Sequence, residues 1–297
     1  MRAADPGARR LGGSDRPVLF FGGARLRTAL LLFFVRSLSL LLSSLPRSAA
    51  LSCGRSLGRL AWALSRRDRR RSLEHLAIAF PDLPESARLR IARQAFLQQG
   101  MNAAELLHLL RRGTGEILQT MEVQGWENVE TARATRRPIL ILTGHCSNWE
   151  LIAVPLTANG LPPAAIARPA DDPRVQDLIV EIRRRLGTTT IARGERGAPR
   201  QILGVLRSGG AIAMLIDQDT KVDGVWVPFF GRPAFTPVGP AEMALKQEMR
   251  VIPSFIERRA DGGHLVRFLP ALDLPKDARE ATARMTAAIE EQVRRRP

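Results

Sequence analysis

The order of apolar and polar residues divides the chain into a long apolar helix, a mixed helical stretch and an alternating α/β region. From Leu26 to Leu45 the run LRTALLLFFVRSLSLLLSSL is mainly apolar, and Arg36 interrupts it near the middle. After the breaks at Pro81 and Pro84, apolar residues return at helical spacing over 85 to 112 (Leu89, Ala92, Phe96, Leu97, Leu106, Leu107, Leu110) and stop at Gly113. Beyond Trp126 the period changes. Pro138 to Thr143 reads as a buried strand, with weaker strands at Ala164 to Ala167 and Thr188 to Ala192. Helical segments fall between them at Val175 to Leu186 and Pro199 to Arg207, the second ending at Gly209-Gly210 before the apolar strand Ala211 to Ile216.

The remaining pattern predicts a helix over Pro240 to Glu248 and a closing helix over Ala278 to Arg294. Between these, Val251 to Glu257 and His264 to Leu269 form a hairpin around Asp261-Gly262-Gly263. Strands that alternate with helices and end in an antiparallel hairpin predict an α/β fold with a mixed central sheet flanked by helices. No internal repeat is visible. The expected organisation is a disordered leader over 1–25, a hydrophobic membrane-associating segment over 26–46 and one catalytic domain over 47–297. For the apolar segment three readings compete: an interfacial helix, a tilted span with a snorkelling Arg36, and a signal peptide cleaved near Ala49-Ala50.

Charge adds a partner class. The formal net charge is +16, carried mostly by arginine, which calls for an anionic bilayer, a phosphorylated substrate or nucleic acid. Arg25, Arg27 and Arg47 flank the apolar segment, and the cluster Arg66-Arg67-Asp68-Arg69-Arg70-Arg71 follows it, as either a headgroup-binding surface or a solvated helix end. The chain has no tyrosine and no nucleic-acid recognition module, so a basic nucleic-acid-binding protein is the weaker alternative, beside a catalytically silent membrane scaffold. Two cysteines far apart, Cys53 and Cys146, give neither a disulfide framework nor a structural zinc site.

Chemistry concentrates at Gly144-His145-Cys146-Ser147-Asn148-Trp149-Glu150, directly after the strand at 138–143. Five residues of helix would set His145 and Glu150 about 140° apart, so the histidine is expected ahead of the helix. Ser147-x-x-Glu150 matches a capping box starting that helix. Glu150 then either caps the helix or turns toward His145 to fix its tautomer and stabilise the imidazolium. A thiol nucleophile at Cys146 is the minor alternative. A second polar group, Ile216-Asp217-Gln218-Asp219, follows the strand at 211–216, and two such strand ends suggest one crevice at the carboxyl edge of the sheet. Asp217 either orients an arginine or substrate hydroxyl there, or starts a turn. The segment VWVPFFGRPAFTPVG after it suits a slot for an acyl chain or a piece of core. Arg168 and Arg183 to Arg185 lie between the two groups, available to phosphate or facing solvent.

With these motifs the chain resembles the bacterial lipid A biosynthesis acyltransferases, a family with the His-x4-Asp/Glu pattern of glycerolipid acyltransferases. The matching stretches are GHCSNWEL at 144–151, ARP at 167–169, RRRLG at 183–187 and IDQDTKVDGVWVPFFGRPAFTPVGPAEMALK at 216–246. Upstream, LPRSAALSCGRSLGRLAW and RRSLEHLAIAFPDLPESARLRIARQAF also look like that family, so the resemblance covers about residues 26 to 297. It implies His145 as general base, Glu150 as its partner, and Arg183, Asp217 and more weakly Arg168 as substrate-binding residues. The implied reaction moves a fatty acyl group from acyl carrier protein to a hydroxyl of a lipid A precursor, or of another glycolipid such as a phosphatidylinositol mannoside, at the cytoplasmic face of the inner membrane. Neither a metal nor a bound cofactor is implied. Two departures carry expectations: Pro155 should kink or end the helix after the motif, and the chain is expected to stop short of a Trp-rich basic segment at its C-terminus.

Overall fold

A computed structural model describes residues 21–218 and 220–297 of the chain, with side chains from residue 28 onward. The leader expected over 1–25 falls largely outside the described residues, and so does Asp219. Four helices come first: α1 (Phe21–Ser44), α2 (Arg47–Leu64), α3 (Arg66–Ala79) and α4 (Glu85–Arg112). Next come α5 (Gly115–Gln119), β1 (Met121–Gln124), α6 (Trp126–Ala134) and β2 (Ile139–Thr143). A 3₁₀ turn (Trp149–Ile152) leads into α7 (Ala153–Ala158), β3 (Pro163–Ala167), α8 (Pro173–Arg185), β4 (Thr189–Ala192), α9 (Ala198–Arg207) and β5 (Ala211–Leu215). The hairpin β6 (Gly224–Phe229) and β7 (Arg232–Pro237) follows, then α10 (Gly239–Lys246), β8 (Arg250–Arg258), β9 (His264–Phe268) and α11 (Ala278–Arg295).

The strands form a seven-stranded sheet in the order β1-β9-β8-β2-β5-β3-β4. Every pairing is parallel except β8 with β9, the antiparallel hairpin that the sequence predicts. Central β2 is buried at all five positions, ILILT, which is why it reads as an unbroken apolar run rather than an alternating one. One layer over the sheet gathers Ile139, Ile141, Leu151, Ile152, Ile256 and Phe268; the opposite layer gathers Leu140, Leu142, Ile212, Val251, Phe255 and the α11 residues Met285 and Ile289. The chain leaves β2 toward β3 on one side, while β8 and β9 lie on the other. That places the end of β2 at the point where the strand order turns, the usual position of a crevice in such sheets.

Of the N-terminal helices, α2 lies closest on α4. A Cβ on Gly54 would stand 2.5 Å from the Gly100 carbonyl oxygen, and one on Gly100 would stand 2.2 Å from that of Gly54. Only glycine lets these two backbones meet. Helix α1 packs one face on α4, with Leu42 buried against Ala50 and Ala104 and the Ser39 hydroxyl donating to the Leu107 carbonyl at 2.8 Å. Its other face leaves Leu30, Leu31, Phe33, Phe34 and Leu41 more than half exposed. No helix among the described residues is long and apolar enough to cross a membrane.

Two local expectations are corrected, and the form of a third segment is added. Ser147 does not cap a helix: its φ is +52°, outside the extended backbone of a cap, and its hydroxyl is buried without a partner. The motif enters a 3₁₀ turn whose first flanking residue is Asn148, with no side-chain cap. Pro155 does not kink an established helix, because α7 begins only at Ala153 and proline in a first turn gives up an N–H with no helical partner. The segment over 224–237 is a two-stranded hairpin outside the main sheet, packed by Phe230 against Phe80 and leaving Trp226 59% exposed.

Candidate active site

The site is set by strand register. Parallel β2 and β5 pair Thr143 with Leu215, so the residues two places beyond, His145 and Asp217, leave the sheet side by side. Asp217 accepts twice from His145, from the backbone N–H at 2.7 Å and from ring Nδ1 at 2.8 Å. A carboxylate only accepts, so Nδ1 carries a proton, and the tautomer this selects has its lone pair at Nε2. Among the described residues Nε2 has no hydrogen-bond partner, and the side chain is 31% exposed. The Trp149 ring stands edge-on to the imidazole, with centroids 4.7 Å apart, and limits its rotation. Gly144 makes room: a Cβ there would stand 2.9 Å from Ile289 Cγ2 and 3.1 Å from Asp217 Oδ2.

Glu150 faces elsewhere. In the 3₁₀ turn it accepts from Arg183 in the last turn of α8, from Nη2 at 2.8 Å and from Nε at 3.1 Å to each carboxylate oxygen. The hydrogen-bonded partner of His145 is therefore Asp217, whereas Glu150 forms a two-pronged pair with Arg183, both side chains less than one-fifth exposed. The register of two neighbouring strands accounts for the difference: it outranks the short sequence separation of His145 and Glu150. The same geometry separates the three arginines of α8, since Arg184 and Arg185 both pair with Glu181 at the surface. Arg168 pairs with Asp171 and is largely exposed, so it joins neither the His145–Asp217 pair nor the Glu150–Arg183 pair. Burial, and then the charge of Asp217, pushes the Cys146 thiol up to about 12, which disfavours the thiolate that a nucleophile needs.

Behind the motif stands a polar cluster that the sequence reading missed. Glu105 of α4 is fully buried and accepts from Arg47, Arg258, His264 and Asn148. Asn148 donates from the motif at 2.9 Å, and Asn102 donates to the Ser147 carbonyl at 2.8 Å while accepting from Arg258 at 3.0 Å. The unusual backbone of Ser147 is thus held from α4. Burial raises the Glu105 pKa, but hydrogen bonds from His264 and Arg258 outweigh it and hold the carboxyl well below its ordinary 4.5. Burial, with the charges of Arg258 and Arg47, pulls His264 below its ordinary 6.5 against the pull of Glu105. The available signal was Asn102, Glu105 and His108 recurring every third residue within an otherwise apolar stretch of α4.

A cavity of 690 Å³ opens between α1, α4 and α8, lined by Arg36, Leu40, Leu110, Arg111, Leu178 and Arg185 among others. Apolar, basic and acidic side chains share its wall, Asp177 and Glu181 of α8 among them, and α8 also carries Arg183. His145 is not among its lining residues. No group of three or more His, Cys, Asp and Glu residues placed to hold a metal occurs among the described residues.

The model of the bacterial lipid A biosynthesis acyltransferase family matches residues 24–297. A lipid A biosynthesis acyltransferase of Haemophilus influenzae is 25% identical over 76% of this chain and 71% of its own length. The lipid A biosynthesis myristoyltransferase of Escherichia coli is 27% identical over 67% of this chain and 61% of its own length. A phosphatidylinositol mannoside acyltransferase of Mycobacterium tuberculosis is 26% identical over 62% of this chain and 56% of its own length. The match thus spans less than two thirds of the latter two relatives.

Proposed function

The chain belongs to the bacterial lipid A biosynthesis acyltransferase family, and from that premise we propose that it moves a fatty acyl group from acyl carrier protein to a hydroxyl of a lipid A precursor of the Kdo2-lipid IVA type. The observation that carries this reading is the His145 imidazole, fixed by Asp217 through Nδ1 and without a hydrogen-bond partner at Nε2 among the described residues. Nε2 takes the proton of the acceptor hydroxyl as its oxygen attacks the thioester carbonyl carbon. The imidazolium that forms is stabilised by the Asp217 carboxylate. Collapse of the tetrahedral intermediate breaks the C–S bond, and the departing sulfur takes the proton back from Nε2. The products are the ester and the free thiol of the carrier, and no cofactor or metal enters the balance. General-base assistance of this kind contributes about 10²- to 10⁴-fold.

The Glu150–Arg183 pair joins the 3₁₀ turn after the motif to the end of α8. In this reading it fixes the wall of the crevice opposite Asp217 rather than the histidine itself, and Arg168 stays at the rim as a weaker contact for an anionic substrate. Work at the cytoplasmic face of the inner membrane is supported by the open apolar face of α1 and by the exposed arginines of α3, which follows α2 in the chain.

Relatives named for phosphatidylinositol mannoside acylation match nearly as well as those named for lipid A, which favours another membrane glycolipid as the second reading. Mass spectrometry of total lipids from cells with and without the gene separates the two. Loss of one acyl chain from lipid A is expected. An unchanged lipid A pattern with an under-acylated second glycolipid selects the alternative, and no change in any glycolipid refutes both.

A further inference from the structure

Two cations that the acyl-transfer chemistry does not use share one anion behind the His145 loop. Arg47 Nη2 meets Glu105 Oε1 at 2.6 Å, and Arg258 Nη2 meets Oε2 at 2.6 Å. The arginine side chains are only 9% and 3% exposed, and the glutamate 0%. His264, the remaining ionisable neighbour, brings no negative charge. A net positive charge is therefore held in a water-poor interior, an unfavourable arrangement unless an anion lies close.

A cavity of 380 Å³ opens on these two guanidiniums, between α2, α4 and the turn joining β8 to β9. Arg55, Arg259 and Gln98 line it with them, and Asp261 is the carboxylate at its wall. Asp261 is already engaged, by Arg259 at 2.7 Å and by the Gly263 N–H at 2.9 Å. Arg55 has no ion-pair partner among the described residues. One lining side chain also keeps a buried donor without a partner, Arg258 Nε. Arg47 and Arg258 also donate to the Gly262 carbonyl at the cavity wall, at 2.5 and 3.3 Å, but a carbonyl carries no charge, so positive charge still exceeds what this chain supplies in return, in a space large enough for a small polyatomic ion and its water.

We propose that this cavity binds a phosphate-type oxyanion, held by Arg55 together with the Arg47–Arg258 pair. Forked guanidinium donors match the spread oxygens of a phosphate, and the ion's charge offsets the cation that Glu105 leaves uncompensated. The same chemistry is offered by a phosphorylated lipid headgroup and by free phosphate. The site lies one residue from the motif, because Glu105 also receives Asn148.

The test is thermal unfolding of the whole chain in neutral detergent, with phosphate titrated against chloride at fixed ionic strength. Binding to the native state raises the midpoint with ligand concentration, and Arg55→Ala, on the outer face of α2 and outside the Glu105 cluster, is expected to weaken the apparent affinity tenfold or more, the scale of one lost charge-assisted bond. Arg55→Glu is expected to remove the response. Dihexanoyl phosphatidic acid below its micelle concentration separates the sources: a response to it at lower concentration than to phosphate assigns a lipid headgroup, and an equal or weaker one assigns free phosphate. Midpoints that rise equally in wild type and Arg55→Glu, or in neither, overturn the proposal.

Discussion

His145 and Asp217 lie 72 positions apart and meet because each stands two residues past a register pair of adjacent parallel strands. This makes Asp217 the residue whose amide is most informative. Asp217→Asn keeps the shape but offers Nδ1 a group that can also donate, so the tautomer is no longer enforced. The expected outcome is a fall in kcat within the range of about 10²- to 10⁴-fold attached to a general base, with KM little changed, read by steady-state acyl transfer. The arginines of α8 supply a second residue-scale contrast. Arg183→Ala leaves Glu150 without its partner and is expected to lower stability by about 1.5 to 3 kcal/mol, the scale of hydrogen bonds to charged groups, measured by denaturant unfolding. Arg184→Ala and Arg185→Ala break only surface pairs with Glu181 and are expected to change stability by less than about 1 kcal/mol.

Among the elements, α2 and α4 are joined by glycines whose replacement has a direct steric consequence. Gly100→Ala places a methyl group 2.2 Å from the Gly54 carbonyl oxygen, so the helices must part. A loss of about 1 to 3 kcal/mol is expected from such overpacking, seen as a lowered thermal midpoint. Most of the sheet was legible in the sequence because its strands are buried on both faces: the runs at 138–143, 211–216 and 251–257 have no competing helical period. Short β1 escaped notice, since MEVQ is half exposed and pairs only at the sheet's edge with β9. The capping box misled for a different reason. Ser147 and Glu150 have the right spacing, but tertiary bonds from Asn102 and Arg183 claim the loop and the carboxylate first. The four site residues His145, Glu150, Arg183 and Asp217 were all visible as polar groups at strand or helix ends. Their pairing was not, because it depends on strand order and on the register of β2 with β5.

For the whole molecule, the buried cluster ties the N-terminal helices to the sheet, since Arg47, Glu105 and Arg258 come from α2, α4 and β8. Its titration sets an acid limit on the fold. His264 and Glu105 both have folded pKa values below their ordinary 6.5 and 4.5, so each leaves the unfolded chain binding more protons than the native one. Their contribution to stability is complete above pH 6.5. It declines first as His264 would charge below that value, and again below 4.5 as Glu105 loses its advantage. Denaturant midpoints measured from pH 8 to pH 4 are expected to fall in that order, with the drop below pH 6.5 reduced in His264→Gln. The excess of arginine has a structural part at this cluster and a surface part on α3.

All of this converges on one imidazole. Transfer of a labelled acyl group from acyl carrier protein to Kdo2-lipid IVA, followed in a single turnover with purified wild type and His145→Ala of matched thermal midpoint, tests it most directly. The alanine variant is expected to be slower by about 10²- to 10⁴-fold; transfer at the wild-type rate by a folded His145→Ala would contradict the assignment of His145 as the base.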